Sequence, residues 1–136
     1  QQMVSSQPAS IPYRLISIAL LPSDRKVLHQ RIQHRFETML KMGLIEEVRS
    51  ILSQFPLTLE MPSIRCVGYR QVYQYLQGQL SLMELREKGA AATRQLAKRQ
   101  LTWLRSMEQL TEFDCLADNL LEQAMYYLQT MLNTND

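Results

Sequence analysis

RLISIALLP, residues 14–22, is the stretch whose reading decides the fold. The seven residues from Leu15 to Leu21, broken only by Ser17, are too few for an independent helix and apolar on both faces, which predicts a buried strand ending at Pro22. A strand with two apolar faces needs neighbours on either side. The chain offers one further candidate, the short run Phe113 to Leu116, so the other strands of such a sheet are expected outside these 136 residues. A first residue of Gln instead of Met agrees with a piece of a longer chain.

Outward from that strand the pattern is helical. Before it, residues 1–12 are polar, with Pro8 and Pro12, and read as a linker. After it, Ser23 or Asp24 can cap a long amphipathic helix over residues 24–54, in which Val27, Leu28, Ile32, Phe36, Met39 and Leu40 recur every three or four positions. Gly43 interrupts this helix, and Leu44, Val48, Ile51 and Leu52 continue its stripe. Residues 57–63 form a connection. Further helices fill 65–107, one running to Gly78 and the next starting at the capping box Ser81-Leu82-Met83-Glu84. A C-terminal strand and helix occupy 112–133, with Leu120, Leu121, Met125, Leu128 and Met131 on the apolar side of the helix.

Charge is distributed unevenly. The net charge is only +2, but residues 61–107 carry 8 basic and 2 acidic side chains, and residues 108–136 carry none and 6. Within the basic block, TRQLAKRQLTWLR (Thr93 to Arg105) places Arg94, Lys98, Thr102 and Arg105 on one helical face, with Leu96, Leu101, Trp103 and Leu104 over the opposite half. No acid stands between Glu87 and Glu108, so Arg94, Lys98, Arg99 and Arg105 lack local partners. Such a ridge fits a polyanion, or a basic surface helix that binds nothing. Upstream, Arg65-Cys66-Val67-Gly68-Tyr69-Arg70 sets two cations and a tyrosine around a glycine at a loop-to-helix junction. Free N–H groups there could attract phosphate, arginine can grip it bidentately, and the ring could stack on a base. The plainer reading is a capped helix start. Trp103 is likewise either core or a stacking platform.

Other chemistries are absent from the sequence. Cys66 and Cys115 are too few for a disulfide framework and have no Cys or His at metal-ligand spacing, which suits a reducing, cytoplasmic setting. His29 and His34, five apart, do not share a helical face and read as solvated or capping residues, so no metal site is expected in the chain. Nothing approaches the length of a membrane span. No P-loop, nucleophile elbow, HExxH or CxxC occurs, and Glu46 and Glu47 point in different directions. No catalytic residue is expected here.

PSIRCVGYRQ (Pro62 to Gln71) and ATRQLAKRQLTWLR (Ala92 to Arg105), with LHQRIQHRFETMLKMGLIEEV (Leu28 to Val48) before them, closely resemble the C-terminal half of the bacterial tRNA dimethylallyltransferases. This family is also called tRNA isopentenyltransferase, and the resemblance covers roughly residues 11–107. It implies an α/β P-loop NTPase-like, nucleotide-binding fold in the parent enzyme, of which this portion would be predominantly α-helical with one or two strands of the parallel sheet. It also implies contact with the tRNA anticodon stem-loop by Arg65, Cys66, Val67, Gly68, Tyr69 and Arg70. Arg94 and Lys98, Arg99, Gln100, Leu101, Thr102, Trp103, Leu104 and Arg105 would complete that surface, and Arg35 would approach the diphosphate of dimethylallyl diphosphate. The implied reaction transfers a dimethylallyl group to N6 of the adenosine 3′ of the anticodon, assisted by magnesium. The P-loop and the general base, an Asp, belong to the half not present in this sequence, so the chain alone is expected to be inactive. The parent is expected to be a monomer without membrane contact; the isolated piece could self-associate through a strand edge. Two further readings of the residues are a non-catalytic helical RNA-binding adaptor and a helical module docking on an acidic protein.

Overall fold

The computed structural model describes residues 12–134, so the expected linker lies outside the described residues apart from Pro12. Strand β1 (Ser17–Leu21) pairs in parallel with β2 (Leu110–Asp114), Ser17 opposite Leu110 and Leu21 opposite Asp114. A parallel pair requires a crossover. Here the crossover is the whole helical body: α1 (Arg25–Lys41), α2 (Leu44–Gln54), α3 (Pro62–Arg65), α4 (Tyr69–Leu76) and α5 (Leu82–Ser106). After β2, helix α6 (Leu120–Asn133) returns against β2.

The expected strand over 13–21 begins four residues late. Its partner reaches back only to Leu110, because α5 continues to Ser106, and the ladder ends where the partner ends. Nor is β1 covered on both faces among the described residues: Ala19 is buried, whereas Leu20 is 54% exposed. β2 starts earlier than Phe113. Gln109, at φ 57°, turns the chain out of the helix so that pairing starts at the next residue. Leu116 belongs to the turn that follows, its N–H donating to the Asp114 carboxylate at 3.0 Å.

Asp24 caps α1, accepting from the N–H groups of Lys26 (2.7 Å) and Val27 (3.4 Å). The predicted helix 24–54 is two helices, since Gly43 adopts φ 102°, a left-handed geometry that ends one and starts the next. The connection 57–63 holds the start of α3, a single turn with Pro62 in its first turn. The expected block 65–107 divides at Gln77–Ser81. There the Ser81 and Glu84 capping box closes, with the Ser81 N–H donating to the Glu84 carboxylate at 2.7 Å and the Glu84 N–H to Ser81 Oγ at 3.2 Å.

Phe36, Leu44, Val48, Val72 and Leu85 form the core between α1, α2, α4 and α5. Phe36 lies directly on Gly89 of α5. A Cβ at Gly89 would stand 2.0 Å from Phe36 Cζ, so only glycine lets these two helices meet this closely. That contact fixes α1 beside α5, and the distance between their surfaces determines the groove described next.

Candidate nucleic-acid interface

Helix α5 has 25 residues, about 37 Å at 1.5 Å per residue. Its buried residues, Leu85, Gly89 and Ala90, lie in the N-terminal half. The C-terminal half continues alongside the start of α1 and encloses an open groove of about 270 Å³. Arg94, Lys98, Thr102 and Arg105 line it from α5, as the helical spacing predicted, and Arg25, Leu28 and His29 line it from α1. No carboxylate enters it.

Among the described residues, none of Arg25, Arg94, Lys98, Arg99 or Arg105 has an ion-pair partner, and none of the described C-terminal carboxylates pairs with them. The described ion pair, Arg49 with Glu46, lies within α2. Cations gathered in one groove repel one another, and an anion there removes that repulsion while gaining hydrogen bonds from guanidinium forks. Arg25 and His29 were not assigned to this surface from the sequence. Their spacing of four, flanking Leu28, marks a common face of α1, but which face meets α5 depends on the Phe36 and Gly89 contact.

The two motifs meet in a second hollow of about 380 Å³. Val67 from the RCVGYR unit and Thr93 and Gln100 from α5 line it with Arg35 and apolar residues of α1, including Ile32 and Met39. Arg35 is exposed at this hollow.

Within RCVGYR the residues separate. Arg65, Cys66 and Arg70 are exposed, Val67 and Tyr69 half-buried, and Gly68 buried with φ 96°. Arg65 Nε donates to the Leu59 carbonyl at 3.3 Å, which steadies the side chain. The helix start is less open to anions than its sequence implied. The Gly68 N–H donates to Gln71 Oε1 at 2.8 Å, and the Arg70 N–H to the Cys66 carbonyl at 3.1 Å. Tyr69 packs its ring against the core, and its hydroxyl donates to the Glu47 carboxylate of α2. That bond, then burial and the nearby negative charge, raise the phenol above its usual 10.0. Tyr69 is therefore tied into the packing of α4 on α2.

On α5, Lys98, Arg99, Gln100, Thr102, Trp103 and Arg105 are exposed, and Arg94, Leu101 and Leu104 half-buried. Leu101 lines the basic groove, and Trp103 does not share the packed side expected of it. Cys66 and Cys115 carry free thiols. Among the described residues no group of three or more His, Cys, Asp and Glu could hold a metal ion. No helix among them is long and apolar enough to cross a membrane.

The family model described as IPP transferase matches residues 1–107. The chain belongs to the IPP transferase family. It is 58% identical over 123 residues to a tRNA dimethylallyltransferase of Nitrosomonas eutropha, covering 90% of this chain and 39% of that relative. With the tRNA dimethylallyltransferase of Nitrosomonas europaea it shares 54% over 129 residues, 95% of this chain and 41% of the relative. Among solved structures, a tRNA isopentenylpyrophosphate transferase of Bacillus halodurans superposes with a TM-score of 0.78 at 30% identity, over 92% of this chain and 40% of that one. The corresponding Staphylococcus epidermidis structure gives 0.73 at 28% identity, over 90% and 38%. The chain thus spans about two-fifths of the length of the IPP transferases it matches. The predominantly helical build with a short parallel strand pair is the expected one for this portion of the family fold.

Proposed function

We propose that the chain works in a tRNA dimethylallyltransferase, holding the tRNA anticodon stem-loop while the dimethylallyl group of dimethylallyl diphosphate passes to the adenosine 3′ of the anticodon. The observation that carries this reading is the basic groove between α1 and α5, whose cations have no ion-pair partner among the described residues. Its open form admits a ribose-phosphate backbone, and its guanidinium and ammonium groups would take successive phosphates.

In the proposed reaction N6 of the adenosine attacks the allylic carbon, the carbon–oxygen bond to diphosphate breaks, and N6 gives up a proton to a base outside these residues. Diphosphate leaves as an anion. Arg35, exposed where RCVGYR and α5 converge, would meet that developing charge, an electrostatic contribution that strengthens as the bond breaks. No described residue is given a role toward magnesium. A tRNA substrate sets this work in the cytoplasm.

The test is tRNA affinity across a salt series for Arg94→Glu and Lys98→Glu. Each should bind about ten-fold more weakly at low salt, with a slope of log affinity against log salt shallower by about one. Unchanged affinity throughout the series rejects the reading. Binding to an acidic protein without binding to the anticodon arm would replace it by the protein-docking alternative.

A further inference from the structure

Glu46 and Glu47 stand side by side in the first turn of α2, and the structure gives them different partners. Glu46 pairs with Arg49 inside its own helix. Glu47 instead accepts from the hydroxyl of Tyr69, 22 residues further on and at the first position of α4. Helical spacing gives no sign of this second pairing, which crosses between two helices.

That bond differs in kind from the others in RCVGYR. Arg65 Nε donates to the Leu59 carbonyl, Cys66 Sγ to the Pro62 carbonyl at 3.7 Å, the Gly68 N–H to Gln71 and the Arg70 N–H to the Cys66 carbonyl. Each of these shapes the turn from within residues 59–71. Among the described residues, the hydrogen bond that ties the turn to another part of the molecule is Tyr69 to Glu47. Apolar packing holds the unit at both ends, since Ile64 and Val72 are fully buried, and a Cβ at Gly68 would stand 3.9 Å from Phe36 Cε2, so the turn also rests on that ring. Such contact is not directional and does not by itself set how the turn is rotated. Gly68, at φ 96°, gives the backbone between Arg65 and α4 its greatest freedom. A directional bond from the next residue fixes the first turn of α4 on α2, and with it the base from which the loop projects.

We infer that Glu47 is a positioning residue for the RCVGYR turn: through the Tyr69 hydroxyl it holds Val67 in the hollow shared with Arg35 and Gln100, and keeps Arg65 and Arg70 facing outward for the tRNA. Glu47 itself lines neither that hollow nor the basic groove. The inference rests on the proposed tRNA-binding role and adds to it a residue outside the contact surface.

Steady-state kinetics with tRNA test it, in the complete transferase containing this chain and at a temperature where circular dichroism shows every variant folded. Glu47→Ala and Tyr69→Phe should each raise the tRNA KM about five-fold and leave kcat within about two-fold, a split that loss of folded enzyme does not produce. The double variant should match the single ones, because each removes the same bond. Glu47→Gln, whose amide oxygen still accepts from the phenol, should keep a KM close to that of the wild type. Arg94→Glu serves as the control for the groove. A wild-type tRNA KM in Glu47→Ala, additive losses in the double variant, or Glu47→Gln behaving as Glu47→Ala overturns the inference while Arg94→Glu still raises the tRNA KM. If Arg94→Glu leaves that KM unchanged as well, the tRNA-binding reading falls together with the role of Glu47.

Discussion

Gly89 is the residue on which the site's geometry depends most directly. Alanine is favoured over glycine within a helix by up to about 1 kcal/mol, yet a Cβ there meets three ring atoms of buried Phe36 between 2.0 and 2.7 Å. Displacing a ring that is 1% exposed disturbs the core packed around it, so Gly89→Ala should destabilise the fold by about 1 to 2 kcal/mol net, read as a lower urea midpoint. Combining it with Phe36→Leu should cost less than the two single changes together, a coupling that a double-mutant cycle measures. The small side chains of Gly89-Ala90-Ala91-Ala92 suit close approach by another helix, but their spacing does not identify Phe36 as the side chain that approaches. Trp103 shows the opposite case. Its apolar character gave it a place on the packed side of α5, but an amphipathic pattern does not record where the neighbouring helix stops covering it. The basic ridge was legible because helical spacing alone brings Arg94, Lys98 and Arg105 together, whereas Arg25 and His29 reach it only through tertiary packing.

The elements carry their own predictions. Ser81 satisfies the Glu84 N–H at the start of α5, and Ser81→Ala should lower stability by about 1 kcal/mol in denaturant titration. At the end of β2, the Asp114 carboxylate accepts from the Ser23 N–H at 3.1 Å and from the Leu116 N–H, tying the strand to the entry of α1. Ser23, then the Leu116 N–H, hold Asp114 below its usual 3.8. A carboxylate whose folded pKa is depressed contributes fully above its unfolded value, and that contribution disappears as pH falls through the folded one. The urea midpoint should therefore drop below about pH 4, and drop less steeply in Asp114→Asn. Tyr69 gives the alkaline counterpart. Its raised pKa favours the protonated folded state, so the bond to Glu47 contributes below the usual 10.0 and is lost at higher pH. Tyr69→Phe should bring a loss of about 1 kcal/mol or less at neutral pH and flatten the decline above pH 10, followed by circular dichroism. Capping boxes and glycine breaks are local and could be read directly. Strand bounds could not, since β1 extends only as far as β2 accompanies it.

At the scale of the molecule, the apolar residues buried in the helical body, Phe36, Ile64, Val48, Val72 and Leu85 among them, contrast with the strand pair, where Ala19 alone is buried. Amide exchange should divide accordingly, with ladder amides exchanging faster than those around Phe36 and Val72. Leu20, Leu121 and Tyr126, all exposed, lie on or beside the strand pair and α6. Concentration-dependent association in sedimentation, reduced by Leu20→Lys, is the expected result for the isolated chain. The basic groove stands where the chain enters and leaves the helical body: Arg25 begins α1 four residues after Leu21, and Arg105, in the last turn of α5, stands five residues before Leu110. A phosphate chain bridging those two arginines would moor both roots of the ladder at once, so occupation of the groove should slow exchange at Ile18 and Phe113, residues no ligand in it needs to touch.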